Sequence, residues 1–271
     1  VKRLLPGLVS VTFRQHGVEE VMRLVQEAGL SGIEWGGDVH VPHGDVHIAR
    51  DVARRMVDGG LTTPCYGSYY RLGHAADDDV PDFEAVVETA QILSAPTVRV
   101  WAGRRNPDEA DSSYLSRVYE DAQRVADLAK SVDIQIAVEW HGNTLTHTAQ
   151  GARDLAMAVP ELLFDWQPSR HRDVEQRRHE LRSIGRLAHM HVFHWKEGHD
   201  GQAIRRPLAE ASDAWPIYLM DAALKPMSSV IGDTFALIEF VRDNDPVQFR
   251  EDAKVLKQWV ENVNETFIAG T

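Results

Sequence analysis

Apolar strand-like runs and amphipathic helical stretches alternate along the whole chain, eight of each. Strands separated by helices pair in parallel, because each crossover needs a helix that covers the sheet. Eight such units close into a barrel. The expectation is therefore an α/β chain folded as a single (β/α)8 TIM barrel over residues 1–271. Strands are expected at Gly7–Phe13, Gly32–Trp35, Leu61–Tyr66, Thr97–Trp101, Ile134–Glu139, Leu162–Asp165, Leu187–Phe193 and Phe235–Phe240. Helices are expected at Val18–Ala28, His47–Val57, Phe83–Leu93, from Asp111 or Ser112 to about Val132, and then at Thr148–Val159, Val174–Ile184, Trp215–Ala223 and Val247–Val263. Gly29 stands where a C-cap belongs. Phe249, Ala253, Leu256 and Val260 share one face of the last helix. The segment from Lys196 to Ala209 reads as a long loop able to act as a lid.

A length of 271 residues suits one such barrel. Hydrophobic content of 43% and charged content of 26% are those of a globular protein in water. A formal net charge of −12 speaks against a nucleic-acid partner, which calls for a basic face. The single cysteine, Cys65, permits no disulfide within the chain and fits a reducing cytoplasm. The start from Val1 and Lys2 to Pro6 lacks the apolar stretch of a secretory signal, and no run reaches the roughly 18 apolar residues of a membrane span. A cytoplasmic protein with no membrane partner is expected.

Four strand runs of the second half end on a side chain able to hold a divalent cation: Glu139, Asp165, His191 and Glu239. Barrel active sites are assembled at these C-terminal strand tips. A charge beside a core strand is costly unless it has a partner, and four such tips in succession outweigh the plainer reading of solvated strand ends. Gln167 shares strand parity with Asp165 and is the alternative ligand there, although a carboxylate suits a hard cation better than an amide. His189 and His191 face one way and His194 the other. Two Glu, one Asp and one His suit Mn²⁺, Mg²⁺ or Co²⁺ better than a structural zinc.

Five of the seven tryptophans, Trp35, Trp101, Trp140, Trp166 and Trp195, stand at or just past strand ends. Each alone is ordinary rim packing; as a set they suggest a carbohydrate-shaped pocket. Polar groups gather at the same level. Substrate contacts are expected from Glu34, Trp35, His40, Tyr66, Tyr69, Arg99 and Trp101, and from His141, Trp166, Gln167 and His194; Ser68 and Arg170 lie nearby. No Gly-rich phosphate loop, GxSxG elbow or HExxH pair is present.

The segments Gly32-Ile33-Glu34-Trp35-Gly36-Gly37-Asp38-Val39-His40, Val138-Glu139-Trp140-His141-Gly142, His189-Met190-His191 and Leu237-Ile238-Glu239-Phe240-Val241, in that order and spacing, resemble the xylose isomerase-like barrels. That sugar isomerase and epimerase superfamily also contains endonucleases for abasic DNA. The resemblance covers essentially the whole chain. It implies one divalent metal on Glu139, Asp165, His191 and Glu239, with the two glutamates also moving protons on opposite faces of a keto-sugar. It implies Mn²⁺ first, then Mg²⁺ or Co²⁺, ahead of Zn²⁺. Relatives of this kind are often homo-oligomers, although no interface is legible in the sequence. Two stretches depart from the ketose epimerases: Trp166-Gln167-Pro168-Ser169-Arg170 replaces a Thr-Phe-His stretch, and Val192-Phe193-His194-Trp195 replaces a Gly-Glu or Lys-Asp ending.

The expected activity is a metal-dependent isomerase or epimerase of a sugar or keto-sugar, working by proton abstraction beside a carbonyl. The alternative is a lyase that cleaves a 3-keto-glycoside by β-elimination, with His141, His194 or Tyr69 protonating the leaving group. An abasic-site endonuclease and a non-catalytic sugar-binding barrel stand behind these two.

Overall fold

The computed structural model describes residues 3–75, 80–198, 201–226 and 231–269. Val1 and Lys2, and residues 199 and 200 of the expected lid loop, lie outside the described residues.

Eight parallel strands form a closed barrel. They are β1 (Leu4–Val9), β2 (Gly32–Gly36), β3 (Tyr66–Arg71), β4 (Thr97–Trp101), β5 (Gln135–Glu139), β6 (Leu163–Trp166), β7 (Leu187–Val192) and β10 (Thr234–Ile238). The remaining two, β8 (Trp195–Glu197) and β9 (Ala203–Arg205), pair antiparallel as a separate hairpin. Closure is made by β1, which pairs with β10 through Leu5↔Phe235 and Gly7↔Leu237, and with β2 through Gly7↔Gly32. The meeting of these strands depends on missing side chains. A Cβ on Gly7 would stand 2.6 Å from Leu237 Cδ2, and one on Gly32 would stand 2.5 Å from Phe235 Cε1.

Helices α1 (Val18–Ala28), α2 (Val46–Asp58), α3 (Phe83–Ile92), α4 (Ser112–Lys130), α5 (Ala149–Ala158), α6 (Val174–Ser183), α7 (Trp215–Ala223) and α8 (Pro246–Ala269) follow the barrel strands in turn. Their starts are set by side chains that satisfy free backbone N–H groups. Asp45, Asp111 and Thr148 accept from Ile48, Tyr114 and Gly151, and Asp173 forms a capping box with Gln176. Gly29 ends α1 in the left-handed conformation at φ 65°, as its position in the sequence implied. The apolar face of α8 (Phe249, Ala253, Leu256, Val260) is buried, and Asn264 holds both backbone groups of Leu4. No helix among the described residues is long and apolar enough to cross a membrane.

Two strand expectations need correction. The first strand begins at Leu4 and ends at Val9; Ser10–Phe13 forms a 3-10 turn. The third was expected at Leu61–Tyr66 and is found at Tyr66–Arg71, with Thr62 making only an isolated bridge to Gly32. Pro64 explains the shift, because it has no N–H to give a ladder; its carbonyl instead accepts from Thr97 Oγ1 at 2.8 Å. The β8–β9 hairpin, which starts at Trp195 and ends at Arg205, takes up most of the loop expected at Lys196–Ala209.

Candidate active site

The strand tips converge on a buried ionic cluster. Glu34, Arg99, Asp165 and His191 point into the barrel from β2, β4, β6 and β7, each at most 2% exposed. Glu139 ends β5 and Glu239 follows β10 directly, at 3% and 6% exposure. Arg99 is the hub of the cations. Its Nε donates to Glu34 Oε1 at 2.7 Å, and its Nη1 donates to Glu139 Oε2. Gly67 makes room for this pair, since a Cβ there would stand 2.7 Å from Arg99 Nη2 and 2.9 Å from Glu34 Oε1.

Glu139 collects two further donors, Trp101 Nε1 on Oε2 and Gln167 Nε2 on Oε1, the latter at 2.8 Å. Burial pushes its carboxyl up, but the guanidinium of Arg99 and the imidazole of His191 outweigh burial and hold it below the usual range. Glu34 is likewise held well below, against its burial, by Arg99 and His191. Asp165 goes the other way: burial, reinforced by the charge of Glu34, raises it to about 7. Its Oδ1 accepts from the backbone N–H of His189 at 2.9 Å, and the Cys65 thiol lies 3.8 Å from Oδ2.

His191 lies between two sets of carboxylates. Nε2 is 3.1 Å from Glu34 Oε2. Nδ1 is 3.4 Å from Glu239 Oε2 and 3.7 Å from Glu139 Oε1, without the alignment of a hydrogen bond, and is fully buried. Burial lowers the affinity of this ring for a proton, but Glu239 and Glu34 raise it well above the ordinary value. A buried ring nitrogen facing two carboxylates, with no aligned partner, fits a divalent cation, and the donor set of carboxylates and imidazole suits a hard or borderline ion. Glu34, Asp165 and His191 also place one donor atom each within 4.8 Å of one another.

A cavity of about 540 Å³ opens beside this cluster over β5, β6 and β7. Trp140, Phe193, Trp195 and Phe240 supply its aromatic lining, and Gln167 touches both the cavity and Glu139. Phe240 follows Glu239 with φ 61°, and Tyr69 has φ 58°. Left-handed aromatic residues are rare and mark backbone that the surroundings hold in place. Here both lie at the site: Tyr69 packs edge-on to Trp101 at 5.2 Å, and Phe240 forms part of the cavity wall.

Several expected substrate residues take other positions. Trp35 and Trp166 are fully buried and outside the cavity lining; Trp166 packs against Trp215 and Tyr218 of α7. Each stands one residue after an inward carboxylate, so alternation turns it to the helical layer. His40 is held by Ser10 Oγ and the carbonyl of His16, and Tyr66 donates to the carbonyl of Val41. These contacts anchor the β2–α2 loop, and neither residue lines the cavity. Glu34 and Arg99 belong to the buried cluster and not to the cavity wall. His141, Gln167 and His194 do line it. Gln167 turns its amide nitrogen to Glu139 Oε1 and so supports that carboxylate. His189 is structural: Nδ1 accepts from the Phe235 N–H and Nε2 reaches the Pro64 carbonyl at 3.1 Å. Sequence reasoning missed the place of Glu34 in the cluster. The available signal was a carboxylate between Ile33 and Trp35 in an apolar strand.

The profile of the family described as xylose isomerase-like TIM barrel matches residues 22–216. The chain belongs to this family. No curated protein matches its sequence. Among solved structures, an L-ribulose 3-epimerase superposes with a TM-score of 0.69 at 15% identity, covering 99% of this chain and 98% of that one. The probable 3-DHS dehydratase AsbF of Bacillus anthracis gives 0.68 at 15%, covering 95% and 99%. A xylose isomerase-like TIM barrel protein of Mycobacterium smegmatis, in complex with magnesium, gives 0.69 at 14%, covering 96% and 97%. At these identities the likeness speaks for the shared barrel.

Proposed function

We propose that the protein is a divalent-metal-dependent isomerase or epimerase of a sugar or keto-sugar. The observation that carries this reading is His191 Nδ1, buried and facing Glu139 and Glu239 in a cluster beside an aromatic cavity. Glu139, Asp165, His191 and Glu239 would hold the cation, Mn²⁺ by preference, with Mg²⁺ or Co²⁺ next and Zn²⁺ last. Bound there, it would supply Lewis acidity that polarises a carbonyl and acidifies the adjacent C–H. The likeness to an L-ribulose 3-epimerase and to a magnesium complex of the same fold supports the reading.

The chain's own residues divide the remaining work. Arg99, Trp101 and Gln167 fix Glu139 in place and keep it ionised. We assign Glu139, held ionised, the first proton removal, with Glu239, beside Phe240 of the cavity wall, returning a proton from the other side. Delivery to the same carbon inverts it; delivery to the neighbouring carbon interconverts aldose and ketose. The rings of Trp140, Phe193, Trp195 and Phe240 offer faces for the C–H surface of a sugar and exclude water.

The lyase reading is favoured by one observation, the presence of His141 and His194 on the cavity wall, where either could protonate a leaving group. A dehydratase of the same fold is consistent with elimination chemistry. One experiment addresses both: a panel of keto-sugars and 3-keto-glycosides in D2O with Mn²⁺, followed by proton NMR. Wild type is expected to exchange the proton beside the carbonyl, and Glu139→Gln and Glu239→Gln to abolish exchange. Release of an aglycone would favour the lyase. Exchange that survives in both variants would overturn the acid–base assignment.

A further inference from the structure

The cavity wall differs in charge from the chain as a whole. The protein has a formal net charge of −12, yet among the described residues no aspartate or glutamate lines the cavity. Its ionisable lining residues are Arg170, Arg205, His141, His147, His171 and His194. Carboxylates act on them from outside the lining: Glu139 on His141, Glu239 on Arg205, Glu210 and Asp213 on His194, and Glu197 at 3.9 Å from His171, with both of those last side chains exposed.

Arg205 is the most informative of the six. It pairs with Trp195 across the β8–β9 hairpin and shares its face with Ala203, while Ile204 points to solvent at 52% exposure. Its guanidinium lies 4.1 Å from the centre of the Phe240 ring, and Nη1 donates to Asn244 Oδ1 at 2.7 Å. That bond uses one of its five N–H donors. It makes no ion pair among the described residues, and burial lowers its pKa, with Glu239 opposing. A half-buried cation without a counter-ion is held at a cost that a ligand anion would remove. A brace for the hairpin is the plainer role. Stacking on Phe240, however, leaves the edge of the guanidinium plane free for bidentate contact with a carboxylate or phosphate.

We infer that the substrate of this cavity carries an anionic group, a carboxylate or a phosphate, received by Arg205 with Arg170 assisting at the exposed rim. The sugar frame of that substrate rests on the function proposed above; the anion rests on the cavity wall alone.

Tryptophan fluorescence can follow binding, because Trp140 and Trp195 line the cavity. The probes are D-fructose, D-fructose 6-phosphate and 2-keto-D-gluconate, added to the full chain with Mg²⁺ present. At least one anionic probe is expected to bind about 10- to 100-fold more tightly than D-fructose, the range of one charge-assisted contact. Whether the phosphate or the carboxylate gains more identifies the group. Arg205→Gln should bring the ratio close to one, and Arg205→Lys should retain part of it. Equal binding of all three, no binding of either anion, a ratio unchanged in Arg205→Gln, or a Lys variant no better than Gln would overturn the inference. Loss of solvent exchange for every probe with the anion preference intact would instead refute the isomerase reading and leave this one standing.

Discussion

Replacing Arg99 by methionine removes the guanidinium that donates hydrogen bonds to both Glu34 and Glu139 while keeping much of its volume, and leaves His191 as their remaining cationic neighbour. Arg99 is 2% exposed, and its partners are 0% and 3% exposed, so water cannot take over its role. Opposite charges at hydrogen-bond distance interact by about 4 kcal/mol at an effective dielectric near 20. Removing one partner of such a buried pair costs roughly 3–5 kcal/mol. Domains of this kind have about 5–15 kcal/mol in total, so Arg99→Met should remain folded but lose a large fraction of its stability. The deficit should depend on pH. In wild type the carboxyls of Glu34 and Glu139 are held low, so both are ionised in folded and unfolded chains above about pH 4.5. Without Arg99 their folded values rise above the unfolded ones. The native state then holds extra protons, and stability falls as pH increases through that window. Urea denaturation should therefore show a larger deficit at pH 7.5 than at pH 5.5. A loss under about 1 kcal/mol, or a deficit that grows on acidification, would refute the view of Arg99 as the counter-ion that makes two buried carboxylates tolerable.

Other outcomes follow from the same geometry. Ser169 accepts from Trp140 Nε1 at 2.9 Å and donates to Glu180 Oε2 at 2.8 Å, so Ser169→Ala strands a buried indole N–H and leaves Glu180 with Arg172 alone; about 1–3 kcal/mol should be lost in thermal unfolding. Burial raises Asp252 to about 6, against its bonds from Leu208 N–H and Gln248. An acid with a raised folded pKa loses stability as pH climbs from about 4 through 6, so Asp252→Asn, which keeps the acceptor oxygen, should be more stable than wild type at pH 8 and equal to it near pH 4.

The legible parts of the fold were those governed by one periodicity. Helix α1, with Val21, Leu24 and Val25 buried and Gly29 behind them, and β4, which begins at Thr97 and ends at Trp101, are found as the sequence implied. The strand near Cys65 was misplaced because apolar content continues through Thr62 and Pro64 while ladder pairing does not. Inner and outer faces were the harder problem. Parallel barrel strands are buried on both sides, so neighbours such as Glu34 and Trp35, or Asp165 and Trp166, give no solvent-facing alternation to separate them. The carboxylates were legible as members of a shared polar cluster because a charge in an apolar run needs a partner. That the partner of Glu34 and Glu139 is Arg99 depends on register across three strands, which no single run contains.

The central claim is that Glu139, Asp165, His191 and Glu239 hold a divalent cation. Titration of metal-stripped protein with Mn²⁺, followed by electron paramagnetic resonance, tests it most directly when wild type is compared with Glu239→Gln, His191→Ala and Glu34→Gln. The account predicts about one tight site per chain, abolished in the first two variants and retained in Glu34→Gln. Loss in Glu34→Gln with retention in Glu239→Gln would contradict it and place the cation among Glu34, Asp165 and His191, on the Nε2 side of the same imidazole.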